Sequence, residues 1–440
     1  MKDSGYKWIG QIPDDWKVER LKGHFTFGKG LPITKADLIE EGAPVISYGQ
    51  IHSKANTGVK LDDSLERFVS KDFINSNPQS LVEEGDFIFA DTSEDVEGCG
   101  ACVYVDKQKE LFAGYHTIIA RSNNKQNNKY FAYLFLTDNW RSQIREKVDG
   151  VKLFSTTQTI LKQTYILLPP QDQQKKIADF LDTKCSELQA AIDNTKQTIE
   201  EYKKLKQAVI TKAVTKGLEP NRKMKDSGIE WIGEIPENWE VCKVRHLGSL
   251  QNGISKGGDS FGKGFPFVSY GDVYKNYSIP EKVIGLVETD EEEQERYSVQ
   301  KGDIFFTRTS ETIEEVGFSS VCEKTIDKAT FAGFLIRLRP SRKEIDTGYA
   351  KYYFRSNHNR YYLVKEMNLV TRASLGQGLL NDMPVCYPPL SEQKSIAEYL
   401  DSKCSQIDTL ISQKEQFITE LEKYKQSLIY EYVTGKRVLN

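Results

Sequence analysis

Cys99 and Cys102, in the stretch "CGAC", stand at the spacing that thiol redox chemistry or a zinc site uses. A zinc site needs two further ligands. The second half of the chain carries nothing comparable at the matching place, so the pair reads as two free thiols beside a turn. Five histidines, His24, His52, His116, His246 and His358, are scattered, with no H-E-x-x-H and no repeated position. "FGKG" (27–30 and 261–264) lacks the spacing and the Lys-Ser/Thr ending of a phosphate-binding loop. "SLGQG" (374–378) contains G-x-G with no helix start behind it and reads as a turn. "LPPQ" (168–171) and "YPPL" (387–390) echo the Pro-Pro tetrapeptide of amino-methyltransferases, but without its polar first and aromatic last residues. No nucleophile, acid–base pair or metal cluster emerges, so an active site is not expected in this chain.

A different chemistry fits the polar loops, because they recur at matching places. Ser47-Tyr48-Gly49-Gln50 answers Ser269-Tyr270-Gly271-Asp272, and Thr92-Ser93-Glu94 answers Thr309-Ser310-Glu311, which follows Arg308. Lys152, Ser155, Thr156 and Gln158 lie in one loop; Arg372, Ser374 and Gln377 lie in its counterpart. Aromatic and basic residues interleave from Lys351 to Tyr362. Arg, Gln, Asn, Ser and Thr read base edges, and Lys and Arg also hold phosphates. The candidate DNA-binding set is therefore Ser47, Tyr48, Gln50, Thr92, Ser93, Lys152, Thr156, Ser269, Tyr270, Asp272, Arg308, Thr309, Arg372, Ser374 and Gln377. Loops of this composition also occur on ordinary surfaces, and duplication preserves structure as well as function. The net charge of −3 argues against coating nucleic acid by bulk electrostatics. It leaves room for a reader with local basic loops.

The elements that must position these residues form a long internal repeat. "KDSGYKWIGQIPDDW" from Lys2 returns as "KDSGIEWIGEIPENW" from Lys225. "GDFIFADTSE" from Gly85 answers "GDIFFTRTSE" from Gly302, and "FAGY" at Phe112 answers "FAGF" at Phe331. A period of about 220 residues is far beyond the 20–50 of a solenoid and marks a duplicated domain. Within each copy, Trp8 and Trp16, or Trp231 and Trp239, pack the opening of the chain onto its domain. About 150 residues of short β-rich and helical runs follow, an α+β pattern. No apolar run approaches the length of a membrane span and the start of the chain is polar. With seven cysteines, an odd number lacking a framework spacing, the expected location is the cytoplasm.

After Pro169-Pro170 and Pro388-Pro389 a long helical pattern begins, with Asp172 and Ser391 placed to cap it. Apolar positions then alternate by four and three: Leu181, Cys185, Leu188, Ile192, Thr195, Ile199, Tyr202, Lys206 and Val209 in one copy. In the other they are Leu400, Cys404, Ile407, Ile411, Lys414, Ile418, Leu421, Lys425 and Leu428. This is a coiled-coil seam on helices of roughly 60 Å. Such a rod cannot stand alone in water, and its nearest partner is its own copy. Leu181, Leu188, Ile192 and Ile199 are expected to pair with Leu400, Ile407, Ile411 and Ile418, while Thr195, Lys206, Lys414 and Lys425 interrupt the seam. The expected domains are 1–166 and 218–385, both α+β, and 167–217 and 386–440 for the two helices.

The repeated W-I-G-x-I-P-x-x-W, the variable α+β domain, and P-P-x-x-x-Q-x-x-I-A-x-x-L-D (169–182 and 388–401) opening a helix that ends in "AVTKG" or "YVTGK" resemble the specificity subunit of type I restriction-modification enzymes over the whole chain. The resemblance implies two tandem α+β target-recognition domains, each reading half of a split DNA sequence. It implies that the long helices form an antiparallel coiled coil with pseudo-two-fold symmetry, set the gap, and carry two modification subunits. It also implies that S-adenosylmethionine is bound by those methyltransferase subunits, that ATP and magnesium serve the restriction subunits, and that this chain holds no cofactor. The two variable domains differ over most of their length, so the target is expected to be asymmetric. A coiled-coil scaffold with two protein-binding domains is the competing reading, and a self-sufficient modification enzyme is a further one. Exchanging residues 18–165 for the equivalent segment of a relative should change one half of the methylated sequence, leaving the other half and the gap as they were. Sequencing the methylated sites checks this, and a change in both halves contradicts independent readers.

Overall fold

The computed structural model describes every residue except 7, 124–126, 151, 311–315, 367–372 and 440. Contacts gather the chain into two units: Met1–Thr195 with Gln416–Asn440, and Lys196–Glu415. Each is α+β. The first holds a four-stranded antiparallel sheet in the order Cys102–Tyr104, Phe87–Ala90, Thr117–Ser122, Phe25–Lys29. A second four-stranded sheet follows the order Arg67–Val69, Ala43–Ile46, Leu111–Ala113, Leu81–Val82, with its central pair parallel. The second unit repeats the antiparallel sheet as Gly248–Asn252, Leu335–Pro340, Ile304–Thr307, Ser319–Val321. Beside it lies a three-stranded sheet, Leu286–Val287, Phe261–Val268, Thr330–Phe331.

The repeated Gly-Asp explains itself in this setting. Gly85 and Gly302 turn the chain at φ 94° and 91°, a conformation that glycine adopts without a Cβ clash. The aspartate that follows is buried in both units. Arg121 donates from Nε and Nη2 to Asp86 Oδ2 at 2.9 and 2.7 Å. Arg339 donates from Nε to Asp303 Oδ1 at 2.7 Å and from Nη2 to Oδ2 at 2.6 Å. Backbone N–H groups of Glu83 and Gln300 donate to the same carboxylates at 2.9 and 2.8 Å. A buried carboxylate keeps its charge only with partners of this kind.

The long helices run Gln171–Lys216 and Leu390–Val433. Both start directly after the Pro-Pro pair, so Asp172 and Ser391 lie inside the first turn and not ahead of it as caps. A buried glutamine in the first turn instead ties each helix start to the chain beside it. Gln174 Nε2 donates to Pro169 O at 2.8 Å, and Gln393 Nε2 to Pro388 O at 2.9 Å. Gln393 Oε1 also accepts the Asp346 N–H at 2.8 Å. Trp16 Nε1 donates to Gln173 Oε1, and Trp239 Nε1 to Glu392 Oε2, both at 2.9 Å. Tyr133 Oη donates to Asp182 Oδ1 at 2.6 Å, and Tyr352 Oη to Asp401 Oδ1 at 2.8 Å. The two most distinctive motifs of the sequence thus meet, and together they pin each helix to the domain before it.

Pairing of the helices is antiparallel within each unit. In the first, the rings of Phe180 and Tyr432 lie 4.6 Å apart, and Lys425 Nζ donates to Gln189 Oε1 at 3.1 Å. In the second, Lys206 Nζ donates to both carboxylate oxygens of Asp408 at 2.7 Å, while Ile210 and Val214 share a core with Ile396, Leu400 and Cys404. In both, numbers fall along one helix as they rise along the other. Leu181, Ile192, Ile199, Leu400 and Ile407 are buried, whereas Leu188, Ile411 and Ile418 are half-buried. Lys206 and Lys425, which interrupt the heptads, are the residues that make polar pairs across the seam.

Gln393→Leu leaves the Asp346 N–H and the Pro388 carbonyl without partners and should cost about 1–3 kcal/mol. Leu400→Ala opens a cavity where the helix enters its core and should cost about 2–5 kcal/mol. Both should lower the denaturant midpoint of the purified chain; an unchanged midpoint in both would refute the anchoring of this helix start.

Candidate nucleic-acid interface

In the first unit four loops converge. Ser47 precedes the short helix Tyr48–Ile51, and its N–H donates to Gln50 Oε1 at 3.2 Å. The Tyr48 N–H donates to Tyr115 O at 3.3 Å, and its ring lies 5.7 Å from Tyr115 and 5.4 Å from His116. The two-residue strands Thr92–Ser93 and Phe154–Ser155 pair antiparallel. His52 Nε2 lies 2.9 Å from Thr92 O. Residues 47–52, 91–93, 115–116 and 154–156 therefore form one cluster.

The second unit rebuilds this plan with other side chains. Ser269 caps the helix Tyr270–Lys275, and its N–H and hydroxyl both donate to Asp272 Oδ2, at 2.8 and 2.7 Å. Thr309–Ser310 pairs with Ala373–Ser374, the same register as in the first unit. Gln377 Nε2 donates to Asn252 Oδ1 at 2.9 Å, where Gln158 Nε2 donates to Gly28 O at 3.0 Å in the first unit. Tyr274 packs edge-on to Phe318 at 5.1 Å.

The sequence-derived candidates fall into three groups. Lys152 and Ser374 are exposed, and Tyr48, Thr92, Tyr270, Arg308 and Thr309 are half-buried within the clusters. Gln50, Asp272 and Gln377 are half-buried too, but their polar atoms are held by neighbouring chain, as is the half-buried Ser269. Ser47, Ser93 and Thr156 are buried and hold turns, presenting nothing to a ligand in this arrangement. Arg372 lies outside the described residues.

Much of the aromatic and basic run 351–362 is engaged with the protein itself, while Tyr361 stands exposed. Tyr349 and Tyr353 are wholly buried, and Lys351 Nζ donates to Asp401 Oδ1 at 2.6 Å. Arg355 donates to the carbonyls of Asn276 and Ser319, both at 2.7 Å, and covers the rings of Tyr277 and Phe318. Its guanidinium ties loops together and offers no free face to a phosphate.

Asp91, His52, Tyr115, His116 and Phe334 belong to the clusters without having been singled out. The signal for Tyr115 and Phe334 was present, since both end the repeated "FAG" and Phe334 stands 63% exposed. His116 gave none, because the first repeat has one residue more here: Thr117 pairs with Ala90 as Leu335 pairs with Thr307, so two residues, Tyr115 and His116, stand where the second repeat has Phe334 alone. The Cys99 and Cys102 side chains are buried free thiols. Burial pushes the Cys102 thiol up to about 12 and raises that of Cys99, which keeps both protonated and poor as metal ligands.

The family described as "Type I restriction modification DNA specificity domain" matches residues 13–201 and 236–422, one match per repeat. The chain is similar to the type I restriction enzyme MjaVIII specificity subunit of Methanocaldococcus jannaschii, 25% identical over 438 residues that cover 98% of this chain and 95% of the relative. It is also similar to the EcoKI specificity subunit of Escherichia coli K12, 23% identical over 451 residues covering 97% and 90%. A solved chain from work on complex assembly and conformational transition of the type I R-M system shares the fold, with a TM-score of 0.71 at 17% identity over 97% of this chain and 100% of that one.

Lys152, exposed at the rim of the first cluster, suits a phosphate. Lys152→Ala should weaken binding to every duplex alike and reduce the slope of log affinity against log salt by about 1. A loss confined to particular sequences would show instead that Lys152 reads bases.

Proposed function

We infer the function in detail from a settled premise: the chain belongs to the type I restriction-modification DNA specificity family. It is a DNA-specificity subunit of such a system, a recognition component and not a catalyst. The reading that goes further is that each α+β domain reads one half of a split, asymmetric target, and that the long helices set the gap. Two modification subunits dock on this chain, bind S-adenosylmethionine and methylate adenine. Restriction subunits use ATP and magnesium to cleave, and the complex works in the cytoplasm. No helix among the described residues is long and apolar enough to cross a membrane.

The observation that carries this reading is one scaffold furnished twice with different side chains. The pairing of Thr92 with Ser155 and of Thr309 with Ser374 is the same. The loops around each pair differ, as two readers of unlike half-sites would. One chain with two unlike readers has no need of a palindrome, whereas a symmetric dimer does. Methylome sequencing of cells with and without this gene tests the reading. A split asymmetric adenine-methylated motif should vanish with the gene; a methylome that does not change would overturn the assignment.

A gap set by helices has a further consequence. Four residues inserted near Thr195 add about 6 Å of helix, close to two base-pair steps of about 3.4 Å, and keep the apolar face turned inward. The methylated motif should keep both half-sites and lengthen its gap by one or two base pairs. An unchanged gap with full activity would sink the ruler.

A further inference from the structure

Among the residues of the two loop clusters, one position has the same backbone and opposite chemistry. In "GDFIFADTSE" and "GDIFFTRTSE" the seventh residue is Asp91 in one repeat and Arg308 in the other, and the same Thr-Ser-Glu follows both. The Asp91 N–H donates to His116 O at 3.1 Å, and the Arg308 N–H donates to Phe334 O at 2.9 Å. Asp91 O accepts from the Thr156 N–H at 2.8 Å, and Arg308 O accepts from the Leu375 N–H at 2.7 Å. Four hydrogen bonds hold two equivalent backbones in the same way, and only the side chain changes.

Neither head group is needed by the fold. Asp91, 34% exposed, uses Oδ1 to accept from Thr92 Oγ1 at 2.7 Å and faces His116 Nδ1 at 3.2 Å, but its Oδ2 has no hydrogen bond among the described residues. A carboxylate required to brace this turn could not be replaced by arginine, yet Arg308 occupies the same turn. Arg308 is half-buried as a residue, and its guanidinium makes no ion pair or hydrogen bond among the described residues. Arg337, Arg339 and Arg355 of the same unit are all engaged with protein oxygens. A guanidinium in a polar loop with no partner among the described residues suits a planar acceptor pair, and a carboxylate oxygen in the same place suits an amino donor.

We propose that Asp91 and Arg308 are equivalent specificity-determining residues of the two domains: Asp91 accepts from the exocyclic amino group of a cytosine or adenine in one half-site, and Arg308 donates to the O6/N7 edge of a guanine in the other. This rests on the DNA-specificity reading above and names the base chemistry of each reader.

The test uses the full complex with its modification subunits and duplexes carrying the motif read from the wild-type methylome, each half-site assigned to its domain by the domain exchange. Every guanine in the second domain's half-site is replaced in turn by 7-deazaguanine, which lacks the N7 acceptor. One position should weaken binding by roughly five- to 150-fold, and Arg308→Gln should erase that penalty there and nowhere else. In the other half-site, purine for adenine or 2-pyrimidinone for cytosine removes the amino group. One position should show a similar loss, erased by Asp91→Ala. A wild-type complex indifferent to 7-deazaguanine at every guanine, or variants that keep the wild-type penalties, would overturn the proposal. The wild-type scan decides even where a variant does not assemble. A split motif without these sensitivities sinks this proposal alone, while a wild-type complex with no sequence preference sinks the reading beneath it.

Discussion

An amphipathic helix of 46 residues, such as Gln171–Lys216, has no stable place in water with its apolar stripe bare. Its stripe must be covered, and within each unit the antiparallel copy Leu390–Val433 supplies a stripe of the same period. The arrangement sorts the chain by packing and not by sequence order. The first helix begins among residues of the first unit and ends among those of the second, and the second helix does the reverse. The cross-helix pairs Lys206 with Asp408 and Lys425 with Gln189 add little stability, since partly exposed pairs are worth about 0–1 kcal/mol. Their effect is on register, because a lysine at a seam position favours the alignment in which an oxygen meets it.

Both ends of each rod are fastened, and the repeated opening motif is what fastens them. Lys436, just beyond the second helix, donates from Nζ to Ile9 O at 2.7 Å and to Gln11 O. Lys216, at the end of the first, reaches the carbonyls of Ile232 and Glu234, which are the same two positions of the motif in the other repeat. The phenols of Tyr130 and Tyr349 donate to the carbonyls of Val433 and Val214. The tryptophans Trp16 and Trp239 meanwhile bond to the start of the other rod in their own unit. W-I-G-x-I-P-x-x-W thus sits where one helix ends and another begins. That place exists once in each unit, so the motif occurs twice.

The heptads, the Pro-Pro starts and the α+β character were legible because each is a local pattern with a periodic or steric cause. The burial of Gln174 and Gln393 was not, since a glutamine in a polar stretch carries no mark of the carbonyl it will reach. The engagement of Lys351 and Arg355 was hidden for a related reason. Arginine among aromatic rings looks alike in sequence whether the rings are a platform for bases or, as with Arg355 on Tyr277 and Phe318, part of the protein's own core. Matched loops marked regions that the pairing of Thr92 with Ser155 and of Thr309 with Ser374 brings together in each domain. Which side chains face outward depended on single backbone hydrogen bonds, and these are not written in composition.

The strand that leads to each loop cluster shows how a domain can change the side chain it presents without changing its fold. It leaves a buried aspartate, Asp86 or Asp303, locked by two bonds from an arginine. It runs through four buried residues, Phe87–Ala90 or Ile304–Thr307, and delivers Asp91 or Arg308 at its far end, about 16 Å on at about 3.3 Å per residue. A buried ion pair is weak as a source of stability but strict about geometry. Here it fixes the register of the strand, because a slip of one residue would turn every side chain to the opposite face. With the register fixed from below and the backbone clamped by neighbouring loops above, the side chain at the tip is released from structural duty. A charge of either sign can then stand there, and the two repeats carry one of each.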